Sequence, residues 1–289
     1  MAERIIKEGM FVRNKYGQES ETYWIKTQIL NNDKALAKTS KTEHLLLAWD
    51  CDLPIQIHSA NLWGNNDAKE FPAILNNQTE LNWLSVPRCL TKHINSASFL
   101  AELRGLQIDD GDLKLKNGVI MGNLLFLSTG SGNVYFTKEN LPNLRSLSCK
   151  YREGLLSELY KYELFDKLTL VAVNNNVFSE IDQIRDLYGL QIHRGKLESI
   201  QGISSIKSLH SVELDDLPKL TNLDDLTDLP NLEYLEVGYC KNIKDWDFLY
   251  ELEKLKELFI TASSLKDYPP QKNLDILREK GIKVPLKGS

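Results

Sequence analysis

One frame recurs through most of this 289-residue chain and limits what it can fold into. The clearest copy runs Leu232-x-x-Leu235-x-Val237-x-x-Cys240 and continues through Ile243, Trp246 and Leu249. The same frame appears as Leu209-x-x-Val212-x-Leu214, Leu187-x-x-Leu190-x-Ile192 and Leu255-x-x-Leu258-x-Ile260. Weaker copies stay in phase upstream: Leu81/Leu84/Val86, Leu103/Leu106/Ile108, Leu124/Leu127/Thr129, Leu144/Leu147/Cys149 and Phe165/Leu168/Leu170. First positions fall at 81, 103, 124, 144, 165, 187, 209, 232 and 255, in steps of 20–23 residues. In x-L-x-L-x a short strand sends alternate side chains to opposite faces, so the two apolar residues go to one side. A single unit cannot bury that face, but a stack of units can. No heptad persists, which excludes a coiled coil.

On these residues the stretch from 81 to about 265 resembles a leucine-rich-repeat domain. The unit from Leu232 to Leu249 is most similar to the cysteine-containing class, with Cys240 where many repeats carry Asn. The expected fold class is an α/β solenoid: an irregular leucine-rich-repeat stack with a concave parallel β-sheet and a β-rich N-terminal cap. The ladder position that usually holds Asn is occupied by Cys89, Gly111, Gly132, Arg152, Val173, Gly195, Leu217, Cys240 and Ser263. The side-chain amide that satisfies buried backbone groups in the turn is therefore missing there. Uneven curvature follows, with the middle repeats least regular.

The expected boundaries are a cap at 1–78, the solenoid at 79–266 and a C-terminal cap and tail at 267–289. Thr22–Leu30 and Leu53–His58 read as strands, with the apolar run Leu45–Trp49 between them. Asn273–Lys280 reads as a helix stopped by Gly281.

A net charge of -5 argues against wrapping nucleic acid, which needs a basic face. No apolar stretch approaches the ~20 residues of a membrane span. The charged start Met1–Glu8 lacks an apolar segment, so a cytosolic chain is expected. Cys51, Cys89, Cys149 and Cys240 are widely spaced and read as reduced thiols.

Signs of catalysis are weak. Ser128–Asn133 is Gly-rich but lacks a phosphate-loop ending and reads as a tight turn. His44, His58, His93, His193 and His210 make no metal-binding motif, although His193 and His210 fall in neighbouring repeats. Cys149 and Cys240 occupy inward positions, as small buried hydrophobes do. Asp215, Asp216, Asp224, Asp225 and Asp228 do not match a calcium loop and read as solvated surface. No cofactor or metal is expected.

The frame also says which side chains line the face opposite the core: those at the third, fifth, seventh and eighth places of each unit. In the last three units these include Glu213, Asp215, Asp216, Tyr234, Glu236, Tyr239, Glu257 and Phe259. The middle units contribute Lys150, Tyr151, Lys167, Gln191, His193 and Arg194, and the first units Trp83, Arg88, Gln107, Asp109, Asp110 and Phe126. Aromatic side chains on a solvated sheet are the composition of an interface, and carboxylates beside them suit a basic partner. Tyr234, Glu236, Tyr239 and Phe259 are the expected hot spot.

The leading expectation is a non-enzymatic protein-interaction module. In architecture it resembles bacterial cytosolic immunity proteins, which implies an inhibitor bound to a toxin domain. An adaptor similar to the substrate-recognition subunits of ubiquitin ligases is the alternative, but no F-box-like segment precedes the repeats. An enzyme would have its site in the N-terminal region, around His44, Cys51 and His58.

Overall fold

The computed structural model describes residues 11–13, 19–21, 23–24, 59–62, 68–71, 75–76, 78–79, 81–262 and 268–285. The readings at Leu45–Trp49 and Leu53–His58, and the candidate residues His44, Cys51 and His58, lie outside them. Of Thr22–Leu30, the pair Tyr23–Trp24 is described, and it is a strand.

The chain divides into two compact units, Met1–Leu144 and Arg145–Ser289. In the first, β1 (Phe11–Arg13) pairs antiparallel with β2 (Glu19–Glu21). A parallel ladder runs through β3 (Tyr23–Trp24), β4 (Ser59–Asn61), β5 (Trp83–Pro87), β6 (Gly105–Asp109) and β8 (Phe126–Ser128). The short strands β7 (Leu113–Lys114) and β9 (Val134–Tyr135) pair beside it. In the second unit six parallel strands stand in order: β10 (Ser146–Lys150), β11 (Lys167–Val173), β12 (Gly189–Gly195), β13 (Ser211–Asp215), β14 (Tyr234–Gly238) and β15 (Glu257–Thr261).

The strands β5, β6, β8 and β10–β15 sit where the leucine frame places them. Within each unit the fourth and sixth frame positions pair with their equivalents: Leu190 faces Leu168 and Val212, and Ile192 faces Leu170 and Leu214. Leu84, Leu106, Leu127, Leu147, Leu168, Leu190, Val212, Leu235 and Leu258 are all fully buried. Burying each such side chain contributes about 1.5–3 kcal/mol. These are leucine-rich repeats. The chain then crosses to the far side of the core through short helical turns. Among them are Leu155–Leu159, Phe178–Ile181, Asp224–Leu226 and Asp247–Tyr250, which bury Leu155, Phe178, Leu226 and Leu249 respectively. The expected C-terminal helix forms over Gln271–Glu279, and Gly281 ends it in the left-handed region (φ +82°). No helix among the described residues is long and apolar enough to cross a membrane.

Two regularities hold the register. The carbonyl at the second frame position accepts two N–H groups from the next repeat. Asn82, Arg104, Arg145, Asp166, Tyr188, His210 and Glu233 all do this. At the eighth position Asp110, Ala172, Arg194, Asp216 and Tyr239 adopt positive φ, between 44° and 61°. A left-handed residue there bends the strand like a bulge, so positions seven and eight both point away from the core and position nine returns to it.

The missing amide ladder is replaced from another position. Asn123, Asn143 and Asn231 stand immediately before the first leucine of their repeats. Each donates to a carbonyl of the repeat before: Ala101 (3.2 Å), Gly122 (2.8 Å) and Lys207 (3.0 Å). Ser208 does the same to Leu187 (2.9 Å). The Gly-rich stretch is the expected turn, closed by Gly132 N–H donating to Thr129 O and the Thr129 hydroxyl donating to Gly132 O, both 2.8 Å. Strand length is uneven in the middle, where β11 and β12 run seven residues against five for the other strands of that unit.

Candidate protein-interaction face

The in-register pairing of β13, β14 and β15 turns sequence spacing into columns. Ser211, Tyr234 and Glu257 form one column, Glu213, Glu236 and Phe259 the next, and Asp215, Gly238 and Thr261 a third. Adjacent strands lie ~4.8 Å apart, so side chains within a column are in reach of each other. None of Glu213, Asp215, Asp216, Tyr234, Glu236, Tyr239, Glu257 and Phe259 is buried. All eight lie on β13–β15 or just beyond their ends, on the face opposite the core.

At the centre Tyr234 donates its hydroxyl proton to Glu236 Oε2 (2.7 Å), and its ring lies 5.4 Å from that of Phe259. Partial burial raises the Tyr234 pKa, the Glu236 hydrogen bond raises it further, and Glu213 and Glu257 add to it. The phenol therefore stays a proton donor through any physiological pH. Tyr239 is 47% exposed. Its own N–H donates to Thr261 O (2.7 Å), which fixes the backbone beneath an outstretched ring. Gly238 leaves room for Asp215, whose carboxylate leans over the space that a side chain there would fill.

Three of the carboxylates have basic side chains of this chain beside them, two lysines and an imidazole. Lys167 Nζ lies 3.9 Å from Glu213, His193 Nδ1 lies 3.6 Å from Asp215, and Lys283 Nζ lies 2.6 Å from Glu257. Exposed pairs of this kind contribute about 0–1 kcal/mol, so an incoming lysine or arginine displaces them at little cost. Lys167 reaches Glu213 across Gly189, which has no side chain to block it. In the first unit Trp83 crosses Gly105 in the same way and stacks on Phe126 at 4.9 Å.

Other candidates separate. His193 and His210 are not brought together: one occupies the seventh frame position and the other the second, at opposite ends of their strands. His210 stacks on Tyr188 at 4.5 Å, and its Nδ1 lies 2.8 Å from Ser208 O. Tyr188 and His210 share the second frame position, so the frame contained the signal for their meeting. Lys283 had no such signal, because it reaches Glu257 from beyond the last repeat. Of the acidic run, Asp225 is not merely solvated: it accepts the Gly202 N–H at 3.0 Å and ties two repeats together.

Cys149 and Cys240 are buried thiols. Burial pushes both from 9.0 up to about 12; Arg152 opposes this slightly at Cys149, and a backbone hydrogen bond from Leu217 opposes it at Cys240. A thiol reagent at pH 8 is expected to leave both unmodified in the folded chain and to modify both in urea, as read by peptide mass mapping. Their pKa is higher in the folded state, so they favour folding fully below pH 9. That contribution is lost as pH rises from 9 towards 12. No group of three or more His, Cys, Asp or Glu among the described residues could hold a metal ion.

No family model matches the sequence, and no curated protein matches it. Solved structures do. Internalin C2 of Listeria monocytogenes is 17% identical, with a TM-score of 0.41 over 57% of this chain and 73% of that one. A second Listeria monocytogenes internalin is 16% identical, with a TM-score of 0.40 over 76% of this chain and 84% of that one. A leucine-rich-repeat protein of Leptospira interrogans is 15% identical, with a TM-score of 0.29 over 92% of this chain and all of that one (100%). The in-register strands and the buried leucine frame define the repeats of this chain.

Proposed function

We propose that this chain is a non-enzymatic protein-binding module, and that it acts as a cytosolic inhibitor of the immunity type. It seats a partner with a basic surface, such as a toxin domain, on the outer face of β13–β15. The observation that carries this reading is the column geometry: Glu213, Asp215, Asp216, Glu236 and Glu257 stand among Tyr234, Tyr239 and Phe259 on one sheet face. Aromatic anchors supply contact energy, and carboxylates around them select cations and speed encounter. The Tyr234–Glu236 hydrogen bond and the Tyr234–Phe259 contact hold the central anchor in place before binding, which lowers the ordering cost.

The test is affinity capture from the native cell extract, followed by titration of the recovered partner against its own activity. Wild type is expected to form a 1:1 complex that abolishes that activity and weakens as salt rises. Replacing Tyr234, Glu236, Tyr239 and Phe259 together by alanine is expected to weaken binding at least ~100-fold, since one such anchor contributes about 2 kcal/mol or more. Unchanged affinity in a variant with the wild-type circular dichroism spectrum overturns the assignment. A complex that leaves the partner fully active overturns the inhibitor reading alone.

A further inference from the structure

The outer face of the second unit changes sign along one line. At the third, fifth, seventh and eighth frame positions, β10–β12 and the residues that follow them present Lys150, Lys167, His193 and Arg194 and no carboxylate. At the same positions the charged residues of β13–β15 and of the residues that follow them are all carboxylates, with no lysine, arginine or histidine. The line runs between β12 and β13. Two pairs of this chain cross it, Lys167 with Glu213 and His193 with Asp215. Lys150 and Arg194 are exposed.

We infer that the partner presents two opposite charge clusters, a basic one over β13–β15 and an acidic one over β10–β12, and therefore docks across all six strands in a single orientation. The inference rests on the reading of this face as a protein-binding surface and deepens it. The two halves centre on β11 and β14, three strand spacings or about 14 Å apart. An extended peptide covers that distance in about four residues. Turning the partner end for end would set like charges against each other, which is how charge placement fixes orientation and excludes wrong partners.

Three seven-residue peptides test this against the full chain by titration of its amide resonances at low ionic strength. One has three lysines, a glycine and three glutamates in blocks. One has the same composition with the charges alternating. One has three lysines followed by four glycines. The block peptide is expected to bind about fivefold tighter than either of the others. Lys150→Glu with Arg194→Glu is expected to remove that advantage while the lysine–glycine peptide still binds, and the milder Lys150→Gln with Arg194→Gln to halve it or more. Equal binding of block and alternating peptides overturns the two-cluster partner, as does an advantage that survives the double reversal. If the lysine–glycine peptide leaves the resonances of β13–β15 unmoved, the basic-partner reading falls and this one falls with it.

Discussion

Gly195→Ala is expected to destabilise the chain by about 2–4 kcal/mol, because the added methyl group meets fixed backbone. Gly195 ends β12 at φ +145°, in register with Val173 at the end of β11. A Cβ there would lie 2.0 Å from the Val173 carbonyl oxygen and under 3.0 Å from two further backbone atoms of that residue. These atoms cannot rotate away as a side chain can. The Val173 carbonyl also accepts the Lys196 N–H at 3.1 Å, so separating the strands to admit the methyl gives up that bond as well. Gly118→Ala is the control. Its φ is +84°, but nothing lies within 4 Å of the added Cβ, so only the backbone strain applies, about 1 kcal/mol. Urea unfolding followed by circular dichroism measures both. Similar losses in the two variants would mean that the strands part easily at that rung and that the close approach of Gly195 to Val173 is not what holds the position to glycine.

The same rung shows where sequence reading stops. The frame gives the inward pair of every repeat, because apolar spacing is itself the physics of burial. It also places positions three, five, seven and eight on the outer face, where the structure has them. It does not explain why position eight points outward when strict alternation would turn it in. The left-handed residues Asp110, Ala172, Arg194, Asp216 and Tyr239 are the reason, and only Asp among these types announces it. Position nine, where an asparagine ladder usually stands, holds Val173, Gly195 and Leu217, which offer no amide. The ladder stands instead one residue ahead of the first leucine, and the recurrence of Asn123, Asn143 and Asn231 there was visible in the sequence. On the outer face, the columns that bring Glu213 beside Glu236 and Tyr234 beside Glu257 were legible once the frame was aligned. The cations were not. Lys167 reaches Glu213 from two strands away and Lys283 reaches Glu257 from beyond the repeats, and neither distance is encoded in spacing.

Leu190→Ala and Ile260→Ala are expected to differ by a factor of two or more in lost stability, although each removes three carbons from an equivalent inward strand. Leu190 is fully buried, with Leu168 on one side and Val212 on the other. Truncating it leaves a cavity that two fixed neighbours cannot collapse into, at about 3–4 kcal/mol. Ile260 belongs to the last strand, pairs in register with Val237 alone among the described residues, and is half-buried. Its carbonyl accepts the Tyr268 hydroxyl at 2.6 Å, a contact that alanine keeps. Its loss is set by one neighbour and partial burial, about 1–1.5 kcal/mol. The comparison tests the stack itself, because stability built from nearest-neighbour contacts makes an interior repeat more sensitive than a terminal one. Denaturant midpoints that fell equally for the two variants would show that the repeats do not depend on their neighbours in this way. A larger loss at Ile260 would place the weight of the fold in the C-terminal closure formed by Tyr268 and the helix at Gln271–Glu279.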